Sequence, residues 1–269
     1  MNSSQAKKQS YPCMQKRRVL VGPALLALAL LLMGAASFPF YGVLAAADDD
    51  AAIAMRLADL LRSARTVISR NQDVINDPAI GDKGLTGEKV LADAIALLKE
   101  RTGEDPRESD ASTLEGKLLR AQMDSIVAVM NENQSSINTK GVGFKGFIPA
   151  VFARLVNEIF AERVGDLAKV KVTAPEKLVR NRKARPDTWE KTVIATKFLQ
   201  PNWPKGQPFS ERVDVNGRSA FRILVPEYYT PTCLSCHGDP AGQVDVTGYP
   251  KEGGKEGDLG AAISITLFE

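Results

Sequence analysis

Histidine occurs once in this chain of 269 residues and cysteine three times. A single imidazole excludes metal sites built on paired histidines, and it leaves no histidine to spare as the base of a serine or cysteine nucleophile. Three cysteines are too few for a four-thiolate zinc site. The chain also lacks a basic excess where one would matter. Five of the 35 Lys and Arg but none of the 32 Asp and Glu precede Asp48, so residues 48–269 carry 30 positive against 32 negative groups, a net charge of −2. That balance excludes the basic footprint of nucleic-acid binding. The glycines of "GYPKEGGKEGDLG" are followed by no GK[ST] and no helix signal, which excludes a phosphate loop and predicts a mobile hairpin loop. No catalytic set is visible, and the expectation is a protein that is not an enzyme.

What is present is concentrated in "TPTCLSCHGDP", where Cys233, Cys236 and His237 lie together. Two thiols in CxxC spacing can add across the vinyl groups of a haem, and a histidine directly after the second is then held as an axial ligand of the iron. Three other chemistries share the spacing. A structural zinc site wants a fourth ligand, and only Cys13 is left to supply a thiolate. A dithiol redox pair needs no histidine behind it, and a disulfide across so short a loop leaves the histidine unexplained. The full CxxCH pattern favours covalent haem c, one per chain.

Covalent haem attachment in bacteria takes place outside the inner membrane, so an export signal is expected. Lys7, Lys8, Lys16, Arg17 and Arg18 precede an uncharged apolar run from Val19 to Ala47, which is followed by Asp48, Asp49 and Asp50. Basic before and acidic after predicts an N-terminus in the cytoplasm and everything past Asp48 on the periplasmic side. The run exceeds the roughly 20 residues that span a bilayer, which favours an uncleaved single-pass anchor in the inner membrane. An AxA-like site in "VLAAA" leaves cleavage and release to the periplasm as the alternative. Cys13 falls on the cytoplasmic side in either case.

The expected organisation is therefore residues 1–47 as tail and anchor, 48–145 as a helical region, and 146–269 as the haem domain. Ile53, Leu57, Leu60, Leu61, Ala64, Val67, Ile68 and Ile75 recur at helical spacing, with Asp49 or Asp50 as cap and Asp77-Pro78 as stop. A second helix is predicted around Val90 to Arg101. A third opens at the "STLE" capping box of Ser112 to Glu115. A fourth runs from Pro149 to a stop at Gly165. "VISRNQDVIN" and "VMNENQSSIN" share a fragment, which aligns Asn71, Gln72, Ile75 and Asn76 with Asn133, Gln134, Ile137 and Asn138. Such amides on facing helices can pair in a buried polar layer. Beyond Gly165, "KVKVT", "FRILV" and "AAISITLF" read as strands. Helices first and short antiparallel strands second predict an α+β fold.

"KGFIPAVFARLVNEIF", "VRNRKARPDTWE", "LVPEYYTPTCLSCHGDP" and "GDLGAAISI", in that order, resemble the bacterial family of periplasmic single-haem domains with a PAS-like fold, found alone or fused to sensor kinases and chemoreceptors. The resemblance implies haem c on Cys233 and Cys236, His237 as axial ligand, a PAS-like antiparallel sheet, and redox or diatomic-gas sensing. A single-haem electron-transfer cytochrome is the alternative. Many relatives have proline where this chain has Arg182. Among the cluster Lys177, Arg180, Arg182, Lys183 and Arg185, Arg180 is the best candidate to meet a haem propionate, since its planar fork suits a carboxylate.

With one histidine, bis-histidine ligation within the chain is impossible. Met1, Met14 and Met33 belong to the targeting segment, which leaves Met55, Met123 and Met130. Met123 and Met130, seven apart on one helix face, are either core packing or a sixth ligand. Tyr228, Tyr229, a lysine or water are the other options. A methionine ligand would favour electron transfer, and an open position would favour a gas. No signalling module follows the haem segment, so a sensor of this kind needs a partner protein or a homodimer.

Overall fold

The computed structural model describes residues 40–269, with side chains from Asp49 onward. The basic segment, Cys13 and most of the apolar run that carry the anchor expectation lie outside the described residues. Among the described residues no helix is long and apolar enough to cross a membrane.

Gly42–Glu269 form one compact unit. Its helices are α1 (Phe40–Arg70), α2 (Gln72–Asn76), α3 (Gly87–Thr102), α4 (Leu114–Glu132), α5 (Gln134–Ile137) and α6 (Pro149–Val164). Strand β1 (Ala168–Thr173) follows, and then α7 (Thr188–Val193), which widens into a π turn at Ile194–Phe198. Strands β2 (Phe209–Val215) and β3 (Arg218–Tyr228), the single-turn α8 (Leu234–His237) and β4 (Leu259–Phe268) complete the chain. Its class is α+β, as expected. Asp49 and Asp50 do not cap α1, which is already helical at Phe40. The N-cap of α4 is Thr113, not Ser112: the Thr113 hydroxyl accepts from the Gly116 amide, while the Ser112 amide donates to Asp110. Pro149 opens α6 and Gly165 closes it, as the sequence predicts.

The shared fragment proves to be part of a longer structural repeat. Residues on the α1–α2–α3 unit match those 62 positions later on α4–α5–α6, as Asn71 and Asn133 illustrate. The amides do not pair with each other across helices. Each caps its own helix: Asn71 and Asn133 donate to the carbonyls of Val67 and Val129, four residues back. Gln72 and Gln134 also donate across to the carbonyls of Phe147 and Leu85. Asn76 accepts from the Lys145 amide and Asn138 from the Lys83 amide. The Val67 and Val129 carbonyls also accept the backbone amides of Asn71 and Asn133, while the bonds to the Phe147 and Leu85 carbonyls and from the Lys145 and Lys83 amides give loop backbone groups their partners. These bonds also tie the loop of each unit to the other, so the glycine-rich "KGVGFKG" is pinned through the Lys145 amide.

The four strands form one antiparallel sheet in the order β1-β4-β3-β2. β2, "FSERVDV", carries no signal strong enough to stand out in the sequence. Successive side chains of a strand alternate between faces. Phe221, Ile223 and Val225 of β3, with Ile263, Ile265 and Leu267 of β4, join the helical core that includes Leu57, Ile126, Phe152 and Phe160. Leu224 and Ala262 face the other way, onto Val193, Ile194 and Phe198. Both faces are covered, which is why "FRILV" and "AAISITLF" read as nearly unbroken apolar runs. On the second face Arg222 is 8 % exposed and bonds to Asp187 and Glu190, the capping-box pair of α7.

Candidate cofactor site

β3 delivers the chain to Tyr228, and Thr230 then opens a turn, Pro231–Cys233, that leads into α8. This tight path places Cys233, Cys236 and His237 on consecutive turns of backbone. Both cysteines are free and half-buried. The amide of Thr230 and its hydroxyl lie 3.4 and 3.3 Å from the Cys233 sulfur. Burial pushes the Cys236 thiol up from its ordinary value. A redox dithiol wants the opposite shift, because the thiolate is the nucleophile.

His237 is held on two sides. Its ring stacks on Tyr229, with centroids 5.0 Å apart and planes 18° apart. Its Nδ1 lies 2.8 Å from a carboxylate oxygen of Glu252. Burial pushes the Glu252 carboxyl up, but the Arg180 guanidinium and His237 outweigh it and leave it below its ordinary value. An ionised carboxylate only accepts, so Nδ1 carries a proton, and Nε2 is the nitrogen left to ligate. Tyr229 itself is 7 % exposed, and its hydroxyl is buried without a partner among the described residues. Burial pushes that phenol up to about 12. Gly254 and Gly260 leave room for the ring: a Cβ on Gly254 would stand 2.6 Å from its Cε2.

Arg180 reaches this loop, but as a strut. Its Nε and Nη2 donate to the two oxygens of Glu252 at 3.0 and 3.1 Å, and its Nη1 to Asp245 at 2.6 Å. Nη2 also reaches the Cys236 carbonyl at 2.9 Å and the Pro250 carbonyl at 3.4 Å, and Nη1 the Thr247 hydroxyl at 3.4 Å. All five donors of the guanidinium therefore have protein acceptors. The Asp245 side chain is wholly buried. Burial raises its pKa, but the Thr247 hydroxyl, Arg180 and two loop amides outweigh this and leave it well below its ordinary value. The glycine-rich segment that reads as a free hairpin is thus tied to the histidine through Glu252, and Gly254 donates to the His237 carbonyl at 2.7 Å.

The donor set fits haem c: two free thiols in CxxC spacing, and an imidazole anchored through Nδ1 with Nε2 left to ligate. Val244 and Val246, 65 % and 61 % exposed, give the same hairpin an apolar outer face. Among the described residues no group of three or more His, Cys, Asp and Glu is gathered as a metal site, so the four ligands of structural zinc are not assembled. Met123 and Met130 are 7 % and 0 % exposed in the core between helices and sheet, a cluster that includes no residue of the Tyr229–His237 loop. A second tie runs from the loop to α1. Glu227, at the end of β3, bonds to both Arg62 and Arg65, and Ser69 reaches Thr232.

Sequence patterns do not single out Glu252, Asp245 or Glu227. Each is one carboxylate among 32 Asp and Glu, and only the folded loop shows what it faces.

A model of the Tll0287-like family, described as Tll0287, matches residues 106–267, more than half of the chain. No curated protein and no solved structure matches.

Proposed function

The chain belongs to the Tll0287-like family, a family of single-haem c-type cytochromes, and from that premise we propose that it is a membrane-anchored, periplasm-facing haem protein that senses redox state or a diatomic gas. The cofactor implied is haem c, joined by thioether bonds to Cys233 and Cys236. The single observation that carries the site is the His237 ring, fixed through Nδ1 with Nε2 free, directly after two unpaired thiols. Bound there, the haem supplies an iron that changes oxidation state or takes a ligand. The protein's own part is to orient the imidazole between Tyr229 and Glu252 and to hold the attachment loop rigid through Arg180.

Two features support sensing. Neither buried methionine of α4 is packed with the haem loop, and Met55 packs against the same helical core, which favours a sixth position not held by methionine. The Glu227–Arg62–Arg65 clamp joins the loop to α1, whose chain continues toward the apolar N-terminal run. A change at the loop would be passed along that helix to a membrane partner or to a second copy. The PAS-like description of the sheet and the inner-membrane anchor belong to the same proposal.

The test is an absorption spectrum of the haem-loaded protein, oxidised, reduced, and reduced under carbon monoxide. Sensing predicts a clear band shift with carbon monoxide at low concentration. A low-spin iron indifferent to carbon monoxide would replace sensing with electron carriage.

A further inference from the structure

Resting on the haem assignment above, we propose that Glu252 is a positioning residue that sets the reduction potential of the iron low, by presenting a fixed negative charge to the axial imidazole. The geometry is specific. The Glu252 oxygen that meets His237 Nδ1 at 2.8 Å also accepts from Arg180 Nη2 at 3.1 Å, and its second oxygen accepts from Arg180 Nε at 3.0 Å. The carboxylate is therefore gripped at both oxygens and cannot rotate away from the ring.

Arg180 alone would cancel the charge that the imidazole feels. Asp245 prevents this. Its wholly buried carboxylate lies 2.6 Å from Nη1, so the three groups together carry one negative charge beside the histidine. A carboxylate on the outer nitrogen of a metal-bound histidine makes the ring more basic and a stronger donor. A stronger donor stabilises the ferric iron, with its extra positive charge, more than the ferrous iron. A neutral carbonyl at the same place would do this weakly. Hydrogen bonding around the axial ligand is one of the protein's controls over haem potential, and Glu252 exercises it here with a full charge.

The experiment compares haem-loaded wild-type protein with Glu252→Gln and Glu252→Asp by redox titration against mediators, after their covalent haem content has been equalised. Glu252→Gln keeps an acceptor but removes the charge. At a fixed ambient potential its ratio of reduced to oxidised haem is expected to rise about tenfold, or about 59 mV for one electron. Glu252→Asp, which keeps the charge, is expected to return most of the way to wild type. Equal potentials in wild type and Glu252→Gln, or equal shifts in both variants, would overturn the proposal.

If Glu252→Gln takes up no haem, the wild-type protein decides. The Nδ1 proton of His237 in the reduced state under carbon monoxide, which is low-spin and diamagnetic, should resonate at the low field of a carboxylate-bound N–H. A position typical of a neutral acceptor would overturn the proposal. Wild-type protein that carries no covalent haem on a denaturing gel would instead remove the haem assignment itself, whatever stands at position 252.

Discussion

Replacing Arg180 by alanine should destabilise the protein strongly even when no haem is attached. The guanidinium is 19 % exposed and faces Asp245, at 0 %, and Glu252, at 19 %. Truncation leaves two carboxylates without their counter-charge, one of them in the interior, and strips an acceptor's partner from the Cys236 carbonyl. Breaking a buried pair in this way costs about 3–5 kcal/mol, whereas a surface pair is worth about 0–1 kcal/mol. We take about 3 kcal/mol, because Glu252 retains some water. Against a total stability of about 5–15 kcal/mol this is a large fraction, and it lowers the Tm by about 6–12 °C at roughly 2–4 °C per kcal/mol for a domain of this size. Arg180→Lys keeps the charge but loses the fork, so about half the loss is expected. Denaturant and thermal unfolding by circular dichroism measure both variants, once with haem and once in a Cys233→Ser, Cys236→Ser background that cannot attach it. A loss below about 1 kcal/mol in both backgrounds would refute the strut. A loss confined to the haem-bearing protein would return Arg180 to the propionate role that the sequence suggests.

Three further outcomes are expected. In the repeat, Asn76→Ala and Asn138→Ala each leave one backbone amide without its acceptor, at Lys145 and Lys83 respectively. Each should cost about 1–3 kcal/mol, the larger loss falling on Asn138 because Lys83 is the more buried. A silent variant in denaturant unfolding would break the equivalence of the two units. Gly260→Ala forces a methyl into the Tyr229 ring; overpacking of that kind costs about 1–3 kcal/mol and should change the near-ultraviolet signal of the tyrosine, so unchanged stability would contradict the cradle. Acid stability follows from the depressed carboxyls. Burial pushes Asp187 up, but the Glu190 amide and Arg222 outweigh it and hold it below its ordinary value, where Asp245 and Glu158 also lie. A lowered folded-state pKa means that the unfolded chain binds more protons. The stabilisation is therefore complete above about pH 5 and is lost as pH falls through the folded values. Asp187→Asn should flatten that slope, and a stability that rises between pH 5 and pH 3 would refute the assignment.

Local chemistry made much of this molecule legible. Helical spacing of Leu57, Leu60, Leu61 and Ile68 marks α1, because burying one stripe of a helix requires it. Pro149 and Gly165 bound α6, since one suits a first helical turn and the other a helix end. The strands β1, β3 and β4 show in their β-branched runs. β2 does not, because an edge strand with half its residues wet carries a weaker apolar signal. The repeat is visible as ten residues of similarity, yet its extent over two helix–loop–helix units depends on backbone bonds that identity does not report.

By itself, the order of residues determined the chemistry on offer at the far end of the chain: two thiols and one imidazole at a spacing that suits a porphyrin, on a turn begun by Thr230 and Pro231. Spacing acts within a few residues, and backbone geometry converts it directly into positions. Only the tertiary structure decided what surrounds the imidazole. Glu252 lies 15 residues beyond His237, and Arg180 lies 72 residues before Glu252. Such partners meet because the sheet brings their loops together and because a buried carboxylate must find a cation. Desolvation makes that demand of charged groups wherever the chain happens to place them, and no period in the sequence announces which ones will meet.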